Sequence, residues 1–271
     1  MAQGTQVAVV QMTSRPEVEH NLQTAGRLVA AAAESGARLV VLPECFAYLG
    51  PDRGNLDVAE RLPEGGPILS QCRAWAKAHD VELILGGFWE KTDDPGRVRN
   101  ACIFMGADGA VRSVYRKIHL FDVDLPDGTS LKESTTVEPG AEVVVADTRC
   151  GKLGLSVCYD LRFPELYRKL VDKGAELLAV PAAFTLQTGK DHWHVLLQAR
   201  AIESQSYVLA AAQTGHHFGK RVSYGHALIA DPWGCVLAQC GEGEGFATAR
   251  IEPERTEQVR AQLPSLKHRR L

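Results

Sequence analysis

The sequence predicts an α/β protein built as a four-layer αββα sandwich with an internal pseudo-twofold duplication. Three observations predict this fold. Segments recur in the same order in both halves of the 271 residues, four segments have helical periodicity, and short apolar runs resemble buried strands. Two such sheets that pack together, with helices outside, form the four layers.

The recurring segments are the first observation. GARLVVLPECF (36–46) matches GAELLAVPAAF (174–184), with Gly, Ala, Leu, Pro and Phe in register. Gln-x-Arg-Ala recurs before strand-like runs in both halves, and NACIFMGADGAV (100–111) matches GHALIADPWGCV (225–236). Three matches in one order indicate two halves, each with strand, helix, strand, helix and two further strands. The first begins at VAVVQM and the second at LGLSVC.

Helices and strands follow from the apolar spacing. In PELYRKLVDKG (164–174), Pro164 fits the first turn of a helix, and Gly174 fits the position just past its end. Runs such as RLVVLP and ELLAVP predict strands of sheets that are buried on at least one face. The segments with apolar residues three and four positions apart are LQTAGRLVAAAAES (22–35), LSQCRAWAKAHD (69–80), PELYRKLVDKG (164–174) and HWHVLLQARAIES (192–204).

Composition and charge limit the classes of function. The net charge is −3, and no basic run exceeds the final KHRRL, so we expect no nucleic-acid partner. No apolar run approaches the ~18 residues of a membrane-spanning helix, and the start MAQGTQVAVVQM lacks the features of a signal peptide. We therefore expect a soluble, cytoplasmic protein that does not associate with membranes.

The cysteines point to a reducing compartment and to free thiols. An odd number scattered through a long chain is not typical of a disulfide framework. Cys235 and Cys240 are spaced like half a zinc site, but no second pair completes it, so we expect no metal and no cofactor. The seven are Cys45, Cys72, Cys102, Cys150, Cys158, Cys235 and Cys240.

Three residues with reactive side chains follow strand-like runs, where the reactive groups of α/β sheets gather. Glu44 follows VVLP, and its counterpart in the second half is Ala182, so the fold does not need a carboxylate there. Cys158 follows LGLSV, and Lys117 follows the strands around Gly109. Residue types alone leave a second interpretation open, since a lone Glu or Lys is most often solvated and a Cys in an apolar strand is most often inert.

Together these three residues form a coherent set for acyl transfer. A free thiol has a pKa near ~8.5, so a cysteine nucleophile needs a neighbouring base or cation at neutral pH. Glu44 can take the thiol proton and pass it to a leaving amine. Lys117 can stabilise the negative oxygen that forms when a thiolate attacks a carbonyl. The set indicates hydrolysis through a thioester.

The segments around these residues resemble a known family. LPECF, YRKIHLFDVDLPDG and GLSVCYDLRFPELYR resemble the Glu, Lys and Cys motifs of the nitrilase superfamily of carbon–nitrogen hydrolases, and the resemblance runs from about residue 6 to the C-terminus. It implies the αββα fold, with Glu44 as general base, Lys117 as transition-state stabiliser and Cys158 as nucleophile. It also implies a second glutamate near the lysine, Glu133 in KESTTVEPG, which orients groups or relays protons.

The same resemblance implies the domain limits and the assembly. It implies one domain over residues 1–271, with a catalytic core at about 6–250 and a C-terminal extension at about 251–271. Members of the superfamily pair through their helices and swap C-terminal segments. We therefore expect a homodimer or a larger homo-oligomer, in which VRAQLPSLKHRRL is long enough to reach a neighbour.

Within the superfamily, the cysteine motif resembles that of the Nit branch, CYD-x-RFPEL. Nitrilases usually have Trp and then Glu after the cysteine, whereas this chain has Tyr159 and Asp160, so the resemblance implies hydrolysis of amides rather than nitriles. The implied substrate-binding groups are the backbone N–H of Tyr159 as an oxyanion donor, Arg162 for a substrate carboxylate, and Phe184 and Thr188 in the pocket.

Two activities of the Nit branch stay open at this point. One is hydrolysis of the amide of deaminated glutathione, and the other is the ω-amidase reaction on α-ketoglutaramate and α-ketosuccinamate. RAIESQSYVLAAAQTGHHFGKRVSYGHALIADPWG (200–234) resembles the amidases that act on deaminated glutathione, so we expect that small-molecule amide as substrate. A third alternative is a binding protein with this fold that has lost catalysis. The intact set of Glu and Lys residues and Cys158 argues against it.

Overall fold

The computed structural model describes residues 4–51, 53–124 and 130–270. The end of the predicted lysine motif, residues 125–128, and both chain ends lie outside the described residues. The strands are β1 (Thr5–Met12), β2 (Leu39–Leu42), β3 (Glu82–Lys91), β4 (Val98–Met105), β5 (Val111–Arg116), β6 (Asp122–Asp124), β7 (Ser130–Lys132), β8 (Val145–Thr148), β9 (Gly151–Leu155), β10 (Leu177–Ala179), β11 (Tyr207–Ala210), β12 (Ala212–Phe218), β13 (Arg221–Tyr224), β14 (Leu228–Ala230), β15 (Val236–Gln239) and β16 (Gly245–Ile251). The helices are α1 (Val18–Glu34), α2 (Gly54–Val58), α3 (Pro67–His79), α4 (Pro164–Asp172), α5 (Leu186–Ser204) and α6 (Pro253–Gln262), with 3₁₀ turns at Glu133–Thr135, Cys158–Arg162 and Ser265–His268.

The strands form two large sheets and one small hairpin. The first sheet has the order β13-β12-β1-β2-β3-β4-β5, with β16 also paired to β1, and the second has the order β15-β14-β11-β10-β9-β8. One pattern occurs in both sheets, because β1-β2-β3-β4-β5 and β9-β10-β11-β14-β15 each contain two parallel pairings followed by two antiparallel ones. The predicted duplication is therefore visible in the sheet topology.

Each half has more strands than the sequence predicted. The prediction placed two strands after the second helix of each half, whereas β3, β4 and β5 follow α3, and β11, β12, β13, β14 and β15 follow α5. Gly109 and Gly234 account for β5 and β15. Both have positive φ, at +75° and +88°, and the tight turns that they form fold the chain back into a further antiparallel strand.

Alternating side chains of the first sheet separate two apolar cores. Val7 and Val9 belong to the same core as Leu153 and Leu155 of β9, so this face of the first sheet packs on the second sheet. The intervening Ala8 packs instead among residues of α1 and α3. This alternation follows from the two-residue period of a strand and places the two helices on the outer face.

Helices α4 and α5 cover the outer face of the second sheet. Gly154 lies against α4, where an added Cβ would sit 3.0 Å from the side chain of Leu170. Trp193 and Leu197 of α5 are buried in the same core as the strands. The layers are thus α1 and α3, the first sheet, the second sheet, and α4 and α5, which confirms the predicted αββα sandwich.

Helix α5 begins at Leu186, six residues before the start that its apolar spacing predicted. The side chain of Thr185 caps it by accepting a hydrogen bond from the N–H of Thr188 at 3.4 Å. The first turns carry polar residues that do not show the apolar period, so apolar spacing predicts a helix only from residue 192 onward. His192 and His194 therefore lie inside the helix and not at its start.

Among the described residues, none of the helices combines the length and the apolar character that crossing a bilayer needs.

Candidate active site

The four residues predicted to react come together where the two sheets meet. Glu44 follows β2, Lys117 follows β5, and Glu133 opens the 3₁₀ turn after β7. Cys158 opens the 3₁₀ turn that follows β9 of the second sheet. All four line one cavity, so three side chains from the first half of the chain face one from the second half.

Lys117 lies between the two carboxylates. Its Nζ is 3.0 Å from Oε1 of Glu44 and 2.8 Å from Oε2 of Glu133, and its side chain is only 2% exposed. Burial alone would lower the pKa of Lys117, but the two neighbouring carboxylates outweigh burial and hold it well above its usual range. Lys117 is therefore an ammonium at neutral pH, fixed in place next to the thiol.

Glu44 is held by hydrogen-bond donors on both oxygens. Nζ of Lys117 and Nδ2 of Asn100 each lie 3.0 Å from Oε1, and the N–H of Ala183 lies 3.0 Å from Oε2. The carboxylate also interacts with the thiol of Cys158. Burial would raise the pKa of Glu44, but Lys117 and these hydrogen bonds bring it below its usual value, so Glu44 is ionised at neutral pH and can accept a proton.

Cys158 has a left-handed backbone conformation, with φ at +48°, which is uncommon for a residue other than glycine. Its N–H donates to the carbonyl of Pro181 at 2.9 Å, and this contact helps to hold the conformation. Burial and the carboxylate of Glu44 raise the pKa of the Cys158 thiol well above its usual value, and Lys117 offsets this only in part. The resting group is thus a neutral thiol beside a base, so the proton must move as the sulfur attacks.

Asp160 ties the cysteine turn to the segment around Lys117. Its Oδ2 accepts hydrogen bonds from the hydroxyl of Tyr115 at 2.7 Å and from the N–H of Val157 at 2.8 Å. Its Oδ1 lies 2.7 Å from Nδ1 of His119. The carboxylate is fully buried and therefore fixes the turn relative to the first half of the chain.

The four predicted substrate-binding residues line a second cavity, which adjoins the first at Phe121, Cys158 and Ala183. Tyr159 is the second residue of a 3₁₀ turn, so its N–H belongs to the donors that the turn itself does not use. The predicted residues that line the second cavity are Tyr159, Arg162, Phe184 and Thr188.

Arg162 is a cation with free hydrogen-bonding capacity in this second cavity. Its guanidinium lies 5.3 Å from the ring centroid of Phe184 and 5.9 Å from that of Tyr159. Its Nη1 is 3.2 Å from Nδ1 of His192, and no carboxylate of the described residues lies within 4.0 Å of it. The remaining N–H groups are therefore available to a ligand carboxylate.

Asn100 was not among the predicted site residues. Its Nδ2 bridges the carboxylates, at 3.0 Å from Oε1 of Glu44 and 3.1 Å from Oε1 of Glu133. A signal for it was present, because Asn100 aligns with Gly225 in the repeat just as Glu44 aligns with Ala182. A polar side chain in one half opposite a small residue in the other marks the site in both cases.

The β12–β13 hairpin forms another wall of the site. Its two strands pair with each other and join the first sheet. His217 fixes this hairpin, with Nδ1 2.7 Å from the carbonyl oxygen of Ser14 and Nε2 2.9 Å from the hydroxyl of Ser223. Burial lowers the pKa of His217 to about 4, so the neutral ring donates from Nδ1. Phe218 and Arg221, at the end of the hairpin, line the first cavity.

Comparisons with known proteins agree with this fold. Residues 6–261 match the model of the carbon–nitrogen hydrolase family. The chain is 48% identical over 265 residues to the deaminated glutathione amidase of a Synechocystis strain, a match that covers 97% of each protein. The crystal structure of the C. elegans NitFhit protein has a TM-score of 0.93 and 42% identity, and the match covers 100% of this chain and 66% of that one. Saccharomyces cerevisiae Nit3, a member of branch 10 of the nitrilase superfamily, has a TM-score of 0.88 and 32% identity, over 100% of this chain and 98% of that one.

These matches confirm the resemblance seen in the three motifs, and they extend it over nearly the whole chain. The chain belongs to the carbon–nitrogen hydrolase family and is a hydrolase that acts on non-peptide carbon–nitrogen bonds in amides.

Proposed function

We propose that the chain hydrolyses the amide of deaminated glutathione through a thioester on Cys158, as a metabolite-repair amidase. A relative that is 48% identical bears the name of that activity. The observation that carries the proposal is Arg162, a guanidinium in the cavity beside Cys158 that no carboxylate of the described residues neutralises. Deaminated glutathione has an α-keto acid carboxylate on the acyl side of its scissile amide, and a guanidinium binds such a carboxylate through two hydrogen bonds.

In the first proposed step, Sγ of Cys158 attacks the amide carbon while the thiol proton moves to Glu44. The carbonyl oxygen becomes negative, and the ammonium of Lys117 and the N–H of Tyr159 stabilise it. Glu44 then passes the proton to the leaving nitrogen as the carbon–nitrogen bond breaks. Cysteinylglycine leaves, and the α-ketoglutaryl group stays on Cys158 as a thioester.

In the second proposed step, water attacks the thioester. Glu44 takes a proton from the water as its oxygen bonds to the acyl carbon, and the carbon–sulfur bond breaks. The proton returns from Glu44 to the sulfur of Cys158, and α-ketoglutarate is released. Glu133 does not touch the reacting atoms in this scheme, since its role is to hold Lys117 in place.

An assay with wild-type protein tests the proposal. Release of α-ketoglutarate from deaminated glutathione is followed with a coupled dehydrogenase, and α-ketoglutaramate is assayed in parallel. A larger kcat/KM for deaminated glutathione is the expected result. A larger value for α-ketoglutaramate would instead assign the ω-amidase reaction, which Arg162 also suits, and no turnover of either substrate would favour an inactive binding protein.

Replacing Arg162 with alanine should reduce kcat/KM for deaminated glutathione roughly 30-fold to several thousand-fold. This factor corresponds to a loss of ~2–5 kcal/mol of transition-state stabilisation. The reason is the loss of the cation that holds the α-keto acid carboxylate in a desolvated cavity. Steady-state kinetics measure the change. A simple amide without a carboxylate serves as the control substrate, on which the variant and the wild type should differ little. Equal kcat/KM of variant and wild type on deaminated glutathione would remove Arg162 from the substrate site.

We further propose that the chain forms a homodimer through the exposed side of α5. Val195 and Ile202 are seven positions apart on this helix and are 67% and 52% exposed, and Trp233, 50% exposed, belongs to the turn that contacts Ile202. Exposed apolar residues in one patch are typical of an interface. Light scattering should give twice the monomer mass of 29.5 kDa, and an Ile202→Glu variant should shift toward monomer. A monomer mass for the wild type would refute the dimer.

We also propose that the chain is one domain over residues 1–271, with core and extension divided near residue 250, and that it works in the cytoplasm. Arg260 of α6 supports the single domain, because its Nη2 donates to the carbonyl of Ala175 at 2.8 Å. The seven cysteines are free thiols, and six of them are buried, which suits a reducing compartment.

A further inference from the structure

A second guanidinium lines the cavity that holds the reactive groups. Arg221 lines the first cavity, together with Glu44 and Lys117, whereas Arg162 lines the second. Nη2 of Arg221 lies 3.3 Å from the carbonyl oxygen of Ala183, whose own N–H binds Glu44. Arg221 and the proposed base therefore contact the same residue, Ala183.

The guanidinium of Arg221 is not neutralised within the part of the chain that the structure describes. No carboxylate there lies within 4.0 Å of it, and its buried Nε has no hydrogen-bond partner. The other cations of the first cavity differ, because Lys117 pairs with two glutamates and Lys132 pairs with Asp124 at 2.9 Å. A half-buried cation with unused donors binds an anionic ligand group well.

The direction of the reaction places the leaving group beside Arg221. The leaving nitrogen must receive its proton from Glu44, which lines the first cavity. The proposed function places the acyl chain in the second cavity, where its carboxylate binds Arg162. In deaminated glutathione the leaving group is cysteinylglycine, whose C-terminal carboxylate lies two residues from the scissile bond, or at most ~7 Å along an extended chain.

We infer that Arg221 binds the C-terminal carboxylate of the leaving peptide and so selects deaminated glutathione over ω-amides, whose leaving group is ammonia. The inference rests on the proposed function. It assigns one guanidinium to each end of a substrate that has two carboxylates, with Cys158 between them. It also gives a role to the β12–β13 hairpin, which carries Arg221 from the second half of the chain into the first sheet.

The test compares substrates as well as variants. Arg221→Ala should lower kcat/KM for deaminated glutathione roughly 10- to 100-fold, the range for a lost charge-assisted hydrogen bond. Its kcat/KM for α-ketoglutaramate should stay within about twofold of wild type, as should its value for deaminated glutathione with a C-terminal amide, which lacks the carboxylate but keeps the same acyl group. Wild type should lose a similar factor when the carboxylate of the substrate is amidated.

Lys220→Ala is the matched control, because Lys220 is exposed, precedes Arg221 in the same turn and is not part of the cavity wall. It removes one positive charge and should leave all three substrates unaffected. An equal loss in Lys220→Ala would show that only the general charge of the hairpin matters, and the inference would fail.

Two other results would overturn the inference while leaving the proposed function intact. One is a wild-type level of activity in Arg221→Ala on deaminated glutathione. The other is an equal loss on all three substrates, which would place Arg221 in the shared reaction and not in recognition of the leaving group. Failure of the wild type to hydrolyse deaminated glutathione would instead overturn the proposed function itself.

Discussion

Cys158→Ala should abolish hydrolysis of deaminated glutathione, with kcat lower by roughly 10⁴-fold or more. Without the sulfur no thioester can form, and the remaining Glu44 and Lys117 have only water to activate. Cys158→Ser should be almost as inactive. A hydroxyl has a far higher pKa than a thiol, so Glu44 is too weak a base to deprotonate it as it attacks.

Two measurements check this expectation. Rapid quenching followed by mass spectrometry should detect the α-ketoglutaryl adduct on wild type and not on Cys158→Ala. Thermal unfolding should show that the variant is folded, because alanine and cysteine meet the same backbone cost at a φ of +48°. Activity within tenfold of wild type in Cys158→Ala would rule out the covalent route.

Lys117→Met should impair both catalysis and stability. Loss of the ammonium removes an oxyanion stabiliser, which costs roughly 10²- to 10³-fold in kcat. It also leaves the buried carboxylates of Glu44 and Glu133 facing each other without a cation, which should lower the free energy of unfolding by about 3–5 kcal/mol. The pKa of Glu44 should then rise, so that part of the enzyme loses its base at neutral pH.

A double variant separates the two effects. Adding Glu133→Gln to Lys117→Met removes one of the two unpaired charges, so urea unfolding should show a partial recovery of stability. The value of kcat should not recover, because the oxyanion still lacks its cation. If Lys117→Met were as stable as wild type, the buried ion pairs at 3.0 and 2.8 Å would make no net contribution to the free energy of unfolding.

The duplicated halves made much of this protein predictable from sequence. The sandwich follows from the repeated segments, the helices from apolar spacing, and Glu44 from its position opposite Ala182 in the repeat. Lys117 and Cys158 were found because each follows a strand-like run. The roles assigned to them remain predictions, and the structure adds that their side chains lie together in one cavity.

Features that depend on contacts between the halves were not predictable. The hairpin that carries Arg221 pairs with β1 of the other half, and no local pattern specifies a partner so far away in the chain. Asn100 had a signal in the repeat, but its bridging position became evident only from the distances. The early start of α5 was hidden because a side-chain cap, and not apolar spacing, begins the helix.

The hydrogen bond from Ala183 to Glu44 joins the two halves of the chain, as does the bond from Tyr115 to Asp160. The distance that the proton travels between Cys158 and Glu44 therefore depends on how the two sheets pack against each other. A displacement of ~1 Å in the position of reacting groups can cost ~100-fold in rate. The value of kcat should therefore fall when the two sheets shift slightly against each other. Spectroscopic measures of secondary structure should not detect such a small shift.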